Sequence, residues 1–409
     1  MKIFVTPVPL LDKDMVVDSY YFRYQKGDNL LIFDQLHTQF DSSVHCELIE
    51  LLNDIGIEAF TNGKPIFIPI SNMHLLTAID EISTTPPSSI IFKIDNSVLP
   101  AQNYIDRIIA LKGGGYSFAF VLPNDFEEYL PIIELMDYIL VNQTTCNKKD
   151  ALSLLKRFPN IKSIASHINT YNMFNLSKAT GYDLFEGKFY RKPLNIGDHD
   201  ISPLKANSIK LMNVVQDDNF DIDLVSKIVE KDTSLAISLV SLVNSQLVSG
   251  QKIHTIAQAA AMLGQVELRK WVSTAASATL SADKPNEINK LSLIRAKFAE
   301  ELAPMFKLEK DAQSLFLMGL FSVLDVVLDR SIEEALKIIS VSDNIKNALV
   351  YTKGSYFPLY EFILYYEAAD WTSVSRLVIL NGLEVEDIYR AYIHTLEWYR
   401  DLVAANNKD

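Results

Sequence analysis

The apolar positions of the chain follow different spacings in its two halves. In the first half, short runs rich in Val, Ile, Phe and Tyr alternate with helical stretches, and several runs lack polar alternation. Continuous apolar runs of strand length are typical of strands buried on both faces. Ile66–Ile70, Ser89–Ile94 and Tyr116–Leu122 are such runs, and Gln102–Lys112 is one of the intervening helical candidates. Repeated strand-then-helix units over about two hundred residues predict a small (β/α) barrel.

The second half, from about residue 207, contains no convincing strand run and is predicted to be all-helical. Asp232 can cap one helix, Thr255 with Gln258 fits a capping box, and Gly264 is placed to end a helix. Apolar residues recur there at helical spacing, as at Leu224, Ile228, Leu235, Leu239 and Leu242. Aromatic residues near the end predict core or domain-interface packing: Tyr365, Tyr366, Tyr389, Tyr392 and Tyr399.

A change in residue composition near Lys192 predicts a linker between the halves. The following stretch contains Gly, two prolines and several small polar residues. We therefore predict a barrel domain over residues 1–195, a linker over 196–206 and a helical domain over 207–409. Within the linker, Asp198-His199-Asp200 resembles a metal clasp. A solvated acidic segment is the better interpretation, because adjacent residues rarely satisfy one ion's geometry alone.

Composition narrows the class of protein. The chain has 409 residues, of which 48% are hydrophobic, so a mostly disordered chain is excluded. A net charge of −13 disfavours a nucleic-acid partner, which requires a positive surface. The longest apolar run, Leu315–Leu328, is shorter than the ~20 residues of a membrane span and contains Asp325. With no signal peptide and two cysteines without a CxxC pair, we expect a cytoplasmic protein.

The start of the second half carries the most specific motif. Ile228–Ala236 leads into Leu242–Ser245, and Ile253–Gly264 follows as IHTIAQAAAMLG. These segments resemble the HDOD family, a helical relative of the HD phosphohydrolases. Its pattern is Asp-Pro-x-Leu, then Asn-Ser, then Ile-x-Ser-Ile-x-x-Ala-x-x-x-Leu-Gly, and Thr233 replaces the usual proline. The match covers Ser208–Leu280 well and the rest of the second half loosely.

The first half ends on a second motif. Gly181–Pro193 resembles the close of an EAL domain, which usually reads Gly-Phe-x-x-x-Gln-Gly-Tyr-x-Phe-x-x-Pro. Val16–Arg23 lies where the signature Glu-Ala-Leu strand belongs, and Gly115–Pro123 and Asp137–Asn142 correspond to later strands. The whole chain is therefore similar to the bacterial EAL–HDOD signalling proteins. This resemblance implies an α/β plus all-α fold, with a degenerate EAL-type barrel followed by an all-helical HDOD domain.

The resemblance also implies a catalytic site, which we expect to be lost. An EAL phosphodiesterase opens cyclic di-GMP with two divalent cations held by oxygen ligands at the strand ends. The corresponding positions here are Ser19 or Tyr20, Pro69, Phe92, Val121, Leu122, Leu140, Asn142 and Ser166. Asp95 follows Phe92 by three residues, and Glu186 stands where a glutamine is usual. Since Asp95 and Asn142 alone cannot hold two cations, we predict no metal, no cofactor and no hydrolysis.

Ligand binding without catalysis stays open. Arg23 lies near an arginine that contacts the nucleotide in the EAL family, although lone arginines are more often surface or ion-paired residues. Apolar side chains such as Phe92 and Leu140 in place of charged ligands would make the pocket hydrophobic.

The HD site is expected to be lost as well. Gly319–Asp325 occupies the position of the family's Gly-Leu-Leu-His-Asp-Ile-Gly helix, and Ser322 and Val323 replace its His-Asp dyad. No hydrolytic metal site can be assembled from the few histidines of this half.

We therefore expect a non-catalytic regulatory protein in or beside cyclic di-GMP networks, acting on motility, biofilm or similar behaviour. Protein partners would bind a helix groove near Asn244-Ser245 and Gln258–Leu263, and neither nucleic acid nor membrane would be a partner. One alternative is a sensor that binds cyclic di-GMP without cutting it. The other is a residual phosphodiesterase around Asp95, Asn142 and Glu186.

Overall fold

The structure, a computed structural model, describes residues 3–26, 44–77, 79–81, 83–194, 196–197, 201–217, 219–246 and 253–406. Its contacts divide the chain into two compact units. The first unit comprises residues 1–190 together with 365–389, and the second comprises 191–364 together with 390–409. Residues 198–200 of the linker lie outside the described ranges, and the domain boundaries drawn from the sequence stay a prediction.

The first unit is built on a closed barrel whose strands follow one another in chain order from β1 to β8. β1 runs antiparallel to its neighbours β2 and β8, and the remaining strand pairs are parallel. The strands are β1 Ile3–Asp12, β2 Val17–Lys26, β3 Ile66–Pro69, β4 Ile90–Ile94, β5 Ser117–Val121, β6 Tyr138–Asn142, β7 Lys162–Ser166 and β8 Leu184–Glu186.

Helices connect the strands of the barrel and cover its outer face. They are α1 Val44–Ile55, α2 Ile57–Thr61, α3 Asn72–Leu75, α4 Gln102–Gly113, α5 Leu130–Ile133, α6 Lys148–Arg157 and α7 Tyr171–Thr180. Successive side chains of a strand point to opposite faces, so each strand needs apolar residues toward both the interior and the helices. Phe22 shows the outward packing, since its ring meets Phe60 of α2 at 5.1 Å. The continuous apolar strand runs follow from this double burial.

The interior of the barrel contains one well-defined apolar layer. Leu10 contributes to it from the antiparallel strand β1. From β2 to β8 the layer consists of Tyr21, Phe67, Ile91, Ala119, Tyr138 with Leu140, Ile164 and Leu184. This interior layer fills the barrel, and it defines which residues of each strand face inward.

A distant part of the sequence completes the first unit. Phe4 of β1 packs edge-to-face against Tyr366 and Tyr389, with ring centroids 6.1 and 6.0 Å apart, and also meets Trp371. The Thr6 hydroxyl donates a hydrogen bond to the Tyr366 carbonyl at 3.2 Å. These buried contacts explain why residues 365–389 group with the barrel.

The second unit, in the ranges that the structure describes, is helical and contains no strand. Its core is formed between the first helices, from residues such as Leu211, Val225, Leu239 and Leu268. The helices that follow the barrel in the chain are α8 Pro203–Gln216, α9 Ile222–Val229, α10 Thr233–Gln246, α11 Ile256–Leu280, α12 Asn286–Leu302, α13 Ala312–Phe321, α14 Leu324–Leu328, α15 Ile332–Ile338, α16 Asp343–Leu349, α17 Phe357–Glu367, α18 Trp371–Asn381 and α19 Val385–Asn406. Of these, α18, the end of α17 and the start of α19 group with the first unit. The predicted order of a (β/α) barrel followed by helices is confirmed.

Capping residues set several of these helix boundaries. The Thr255 side chain accepts a hydrogen bond from the Gln258 amide, and Asp232 accepts one from the Leu235 amide at 3.1 Å. Gly264 adopts φ 71° and ψ 175° and breaks the helical path inside α11, where the sequence predicted a helix end.

Close packing between α12 and α13 depends on another glycine. A Cβ at Gly319 would lie 2.5 Å from the backbone nitrogen of Ala296. None of the helices in the described ranges combines the length and hydrophobicity that a membrane crossing requires.

Candidate functional site

The inward-facing residues at the ends of the parallel strands form the candidate site. Because side chains alternate along a strand, the residue two positions beyond each member of the interior layer faces inward at the mouth of the barrel. The mouth layer, as we call this set, consists of Arg23, Pro69, Lys93, Val121, Asn142, Ser166 and Glu186. One residue comes from each strand from β2 to β8.

A buried carboxylate organises one side of the mouth layer. The Glu186 side chain is 4% exposed, and its Oε1 accepts hydrogen bonds from the Tyr21 hydroxyl at 3.0 Å and from Arg23 Nη2 at 3.3 Å. Its Oε2 accepts the backbone N–H of His167 at 2.8 Å. Burial, followed by the charge of Glu186, raises the pKa of Tyr21 well above its usual range. Tyr21 therefore stays a neutral donor to Glu186.

A glycine fixes the position of this carboxylate. A Cβ at Gly187 would lie 1.8 Å from the Ile168 carbonyl oxygen, so only glycine allows the chain to pass there. The Ile168 amide in turn donates to the Glu186 carbonyl at 2.9 Å. Gly187 belongs to the EAL-like ending predicted from the sequence, and its role is local and steric.

Lys93 contributes a second cation to the mouth layer. The side chain is half-buried, and its ammonium nitrogen lies 5.3 Å from the centre of the Tyr21 ring. Desolvation lowers the pKa of Lys93 below its ordinary value of 10.5, while the charges of Asp95 and Glu186 oppose the shift. Among the described residues, no hydrogen bond or ion pair to the Lys93 ammonium is present.

Four residues of the mouth layer, Arg23, Pro69, Lys93 and Val121, line an open cleft of about 460 Å³. Its polar lining comes from the ends of β2, β3 and β4 and includes Arg23, Gln25, Ser71, Lys93, Asp95 and Ser97. Ala369 and Trp371, from the segment that completes the first unit, line its rim. The carbonyl of Ala368 accepts a hydrogen bond from Arg23 Nη1 at 3.3 Å. Sequence patterns could not reveal this contact, since it joins residues more than three hundred positions apart.

Strand geometry separates the sequence-predicted site residues into two sets. Ser19 and Leu140 face inward at deeper levels, while Pro69, Val121, Asn142, Ser166 and Glu186 belong to the mouth layer. The remaining residues, Tyr20, Phe92 and Leu122, have the opposite strand parity. Phe92 stacks on Tyr116 outside the barrel interior, with ring centroids 4.9 Å apart. The inward place on β4 belongs to Lys93, one residue further on, which the sequence reasoning missed.

The other predicted polar residues make local hydrogen bonds. Asn142 Oδ1 accepts from the Thr144 amide at 2.9 Å, and Asp95 Oδ1 accepts from the Ser97 amide at 2.9 Å. The Ser166 hydroxyl donates to the Val141 carbonyl at 3.4 Å.

The mouth layer does not fit the two divalent cations that the EAL resemblance implies. Such ions need several oxygen ligands, and the layer supplies one carboxylate, Glu186, which is already bonded to Arg23 and Tyr21. Lys93 adds a positive charge where a ligand would be needed. Across the described residues, no group of three or more His, Cys, Asp or Glu side chains is placed to hold a metal ion.

In the second unit, Ser322, one of the two positions that the sequence analysis aligned with the HD dyad, takes part in a hydrogen-bond network. Arg295 Nη1 donates to the Ser322 hydroxyl at 3.0 Å, and that hydroxyl donates to the Gly319 carbonyl at 2.7 Å. Val323 is buried. Burial raises the pKa of nearby Asp325, and the charge of Arg295 opposes the shift. The sequence does not single out Arg295, because its partner Ser322 lies at the C-terminal end of a different helix, α13.

The predicted partner groove contains a second structural residue. The Asn244 side chain donates to the Ile253 carbonyl at 2.9 Å and accepts from the Ile253 amide at 2.8 Å, which holds the start of the α11 segment. The Ser245 side chain lies outside the described part of the chain. Within Gln258–Leu263, Met262 is exposed.

Residues 201–344 match the HDOD domain family, so the chain contains an HDOD domain. This match confirms the prediction made for the second half.

Two curated relatives align with nearly the whole chain. The uncharacterized protein YuxH of Bacillus subtilis (strain 168) is 26% identical over 416 residues, covering 99% of this chain and 100% of that protein. The cyclic di-GMP phosphodiesterase CdgJ of Vibrio cholerae serotype O1 is 28% identical over 405 residues, covering 98% of this chain and 93% of that protein. The predicted resemblance to the EAL–HDOD proteins is confirmed.

Among solved structures, the EAL enzyme Bd1971 with cAMP and cyclic di-GMP bound is similar to the first half. The TM-score is 0.36 and the sequence identity 12%, over 45% of this chain and 60% of that one. The chain therefore spans about three fifths of the length of that protein.

The comparison with CdgJ contradicts the prediction that this chain is not an enzyme. A relative aligned over 98% of the chain is named a phosphodiesterase. The prediction rested on assigning lost ligands to single strand positions. A shift of one residue along a strand moves every side chain to the other face, as Phe92 and Lys93 demonstrate. Substitution at the assigned positions is therefore no measure of activity.

Proposed function

We propose that this protein acts in cyclic di-GMP signalling and that the mouth of its barrel binds the dinucleotide. The observation that carries the proposal is the pair of cationic side chains, Arg23 and Lys93, that lines one cleft at the strand ends. Guanidinium and ammonium groups are the usual protein donors to phosphate oxygens. The name of the relative CdgJ supports cyclic di-GMP as the phosphate-bearing ligand.

The shape of the cleft supports a ligand that also carries planar rings. Trp371 lines the same cleft as the polar strand ends. Bases stack on aromatic side chains with about 1–3 kcal/mol per base. A dinucleotide carries both phosphates and bases. In this cleft, Arg23 and Lys93 are complementary to the phosphates, and Trp371 is complementary to a base.

The HDOD domain is proposed to act through protein–protein contacts. Its helices α10 and α11 present large apolar side chains to solvent, with Ile237 and Met262 each 55% exposed and Val266 53% exposed. Exposed apolar side chains contribute to protein interfaces when they lie together. The identity of the protein partner, a cytoplasmic location and a role in motility or biofilm formation stay predictions.

Hydrolysis of cyclic di-GMP is the second candidate function, because the relative CdgJ is named a phosphodiesterase. One experiment addresses both candidates. Purified full-length protein is titrated with cyclic di-GMP by calorimetry in EDTA, in Mg²⁺ and in Mn²⁺, and the linear product is followed by chromatography. Saturable binding supports the barrel site, and product formation identifies the phosphodiesterase. If neither appears under any of the three conditions, the proposed function is wrong.

A further inference from the structure

Lys93 occupies an unusual environment for an ammonium group. It lies on β4 between Pro69 and Ala119 of the neighbouring strands, half-buried at the barrel mouth rather than fully exposed on the protein surface. An ammonium removed from water loses hydration that the protein must replace. The Tyr21 ring, 5.3 Å away, replaces part of it through a cation–π contact.

The two carboxylates near Lys93, Glu186 and Asp95, form hydrogen bonds with other groups. Glu186 binds Arg23, Tyr21 and the His167 amide, and Asp95 accepts the Ser97 amide. Neither carboxylate forms an ion pair with Lys93. The three N–H donors of the ammonium therefore have no acceptor among the described residues.

A second polar group of the same cleft also lacks a partner. The hydroxyl oxygen of Ser97 is buried and makes no hydrogen bond. Buried polar atoms are nearly always satisfied, so an orphaned group lining a cleft indicates a partner that binds there. Lys93 and Ser97 therefore both offer hydrogen-bond donors to a ligand at the mouth of the barrel.

We propose that the Lys93 ammonium takes the place of a metal ion in the barrel mouth and, with Arg23, binds a phosphate group of the ligand directly, without a divalent cation. The inference rests on the proposed function and adds how the phosphate is held. An anion supplies the negative charge and the oxygen acceptors that Lys93 lacks. Arg23 adds its guanidinium from β2, and Ser97 adds a hydroxyl donor from the loop after β4. Desolvation lowers the pKa of Lys93, and a bound anion would stabilise its charged form.

The test compares variants of the full-length protein by calorimetry with cyclic di-GMP, in EDTA and in Mg²⁺. Lys93→Met removes the charge and keeps the length of the side chain, and Lys93→Arg keeps the charge. Lys162→Met is the matched control, because that ammonium lies 5.6 Å from the Tyr138 ring at the opposite end of the barrel. Circular dichroism confirms that each variant is folded.

We expect the wild type to bind equally well in EDTA and in Mg²⁺. Lys93→Met is expected to weaken binding by about tenfold to a hundredfold, as for loss of a charged hydrogen bond. Lys93→Arg retains most of the affinity, and Lys162→Met is unchanged. Binding that requires Mg²⁺, or equal affinity of wild type and Lys93→Met, overturns the inference while leaving the proposed function intact.

A separate arm covers the case in which the wild type binds no cyclic di-GMP, which refutes the proposed function. The same variants are then titrated with inorganic pyrophosphate and followed by ³¹P NMR. Pyrophosphate binding that is lost in Lys93→Met and kept in Lys162→Met supports the anion site. Absence of binding, or binding that is indifferent to Lys93, overturns it.

Discussion

Glu186→Gln tests whether the buried carboxylate organises the barrel mouth. Glu186 is 4% exposed and accepts hydrogen bonds from Tyr21, Arg23 and the His167 amide. Glutamine has the same size but one carbonyl oxygen and an amide group that only donates. If the glutamine NH₂ group takes the place of Oε1, it faces the Tyr21 and Arg23 donors. If it takes the place of Oε2, it faces the His167 amide. The variant therefore loses the ionic partner of Arg23 and at least one accepted hydrogen bond.

The magnitude follows from how far each partner is buried. Breaking a fully buried ion pair costs about 3–5 kcal/mol, and one hydrogen bond to a charged group contributes about 1.5–3 kcal/mol. The Arg23 side chain is 33% exposed, so water screens its charge and partly replaces the lost partner. We expect a loss of about 2 kcal/mol in local stability, which is about a thirtyfold change in the opening equilibrium.

Hydrogen–deuterium exchange measures this change locally, which is necessary because the chain has two units and need not unfold in one transition. Amides of β7 and β8, and the His167 amide in particular, should exchange about thirtyfold faster in Glu186→Gln. Glu50→Gln on the exposed face of α1 is the control and should change nothing. Unchanged exchange at His167 would refute an organising role of the carboxylate.

Three further changes have definite outcomes. Gly187→Ala should destabilise the barrel by more than about 3 kcal/mol, since its Cβ would lie 1.8 Å from the Ile168 carbonyl oxygen, and a thermal shift reports this. Gly319→Ala should separate α12 from α13, because its Cβ would lie 2.5 Å from Ala296 N, and exchange in those helices should accelerate. Lys93→Met should stabilise the fold at pH 7. Burial lowers the pKa of Lys93 in the folded protein, so the unfolded wild-type chain binds the proton more tightly than the folded one. The stability gain of Lys93→Met over the wild type should therefore shrink as the pH rises toward 10.5.

Each of these changes has a control or a contrary result. Gly181→Ala, at φ +101° with nothing within 4 Å of the added Cβ, should cost only about 1 kcal/mol of backbone strain. Gly113→Ala, with open space at a normal φ, should be neutral or slightly stabilising. A Gly187→Ala variant as stable as Gly181→Ala would show that the Ile168 backbone gives way. A stability difference between Lys93→Met and wild type that does not change with pH would exclude a buried ammonium.

The element pattern was predictable from the sequence, but the inward faces of the strands were not. The sequence predicts a strand over Ser89–Ile94 because the run is mostly apolar, and β4 spans Ile90–Ile94. A strand buried on both faces carries no polar alternation, so its residues do not reveal which face is inward. On β4 the inward-facing residue at the barrel mouth is Lys93, whereas the sequence analysis assigned Phe92 to that position. Only the register with Ala119 of β5 decides the question.

Long-range contacts were also beyond sequence reasoning. The aromatic residues near the end were expected to pack in a core or an interface, and Tyr366 and Tyr389 pack on Phe4 of the first strand. Helical periodicity reports that a residue is buried but not which element covers it. In contrast, caps such as Thr255 were readable, because their partners lie within one turn.

Hydrogen–deuterium exchange of the full-length protein with and without saturating cyclic di-GMP tests ligand binding in the barrel mouth most directly. We expect slower exchange in peptides that contain Arg23, Lys93 and the turn around Ala369, since these residues line one cleft. Peptides of α12 and α13 should exchange as in the free protein. Protection confined to the HDOD helices, or no protection at the strand ends, would contradict a dinucleotide site in the barrel.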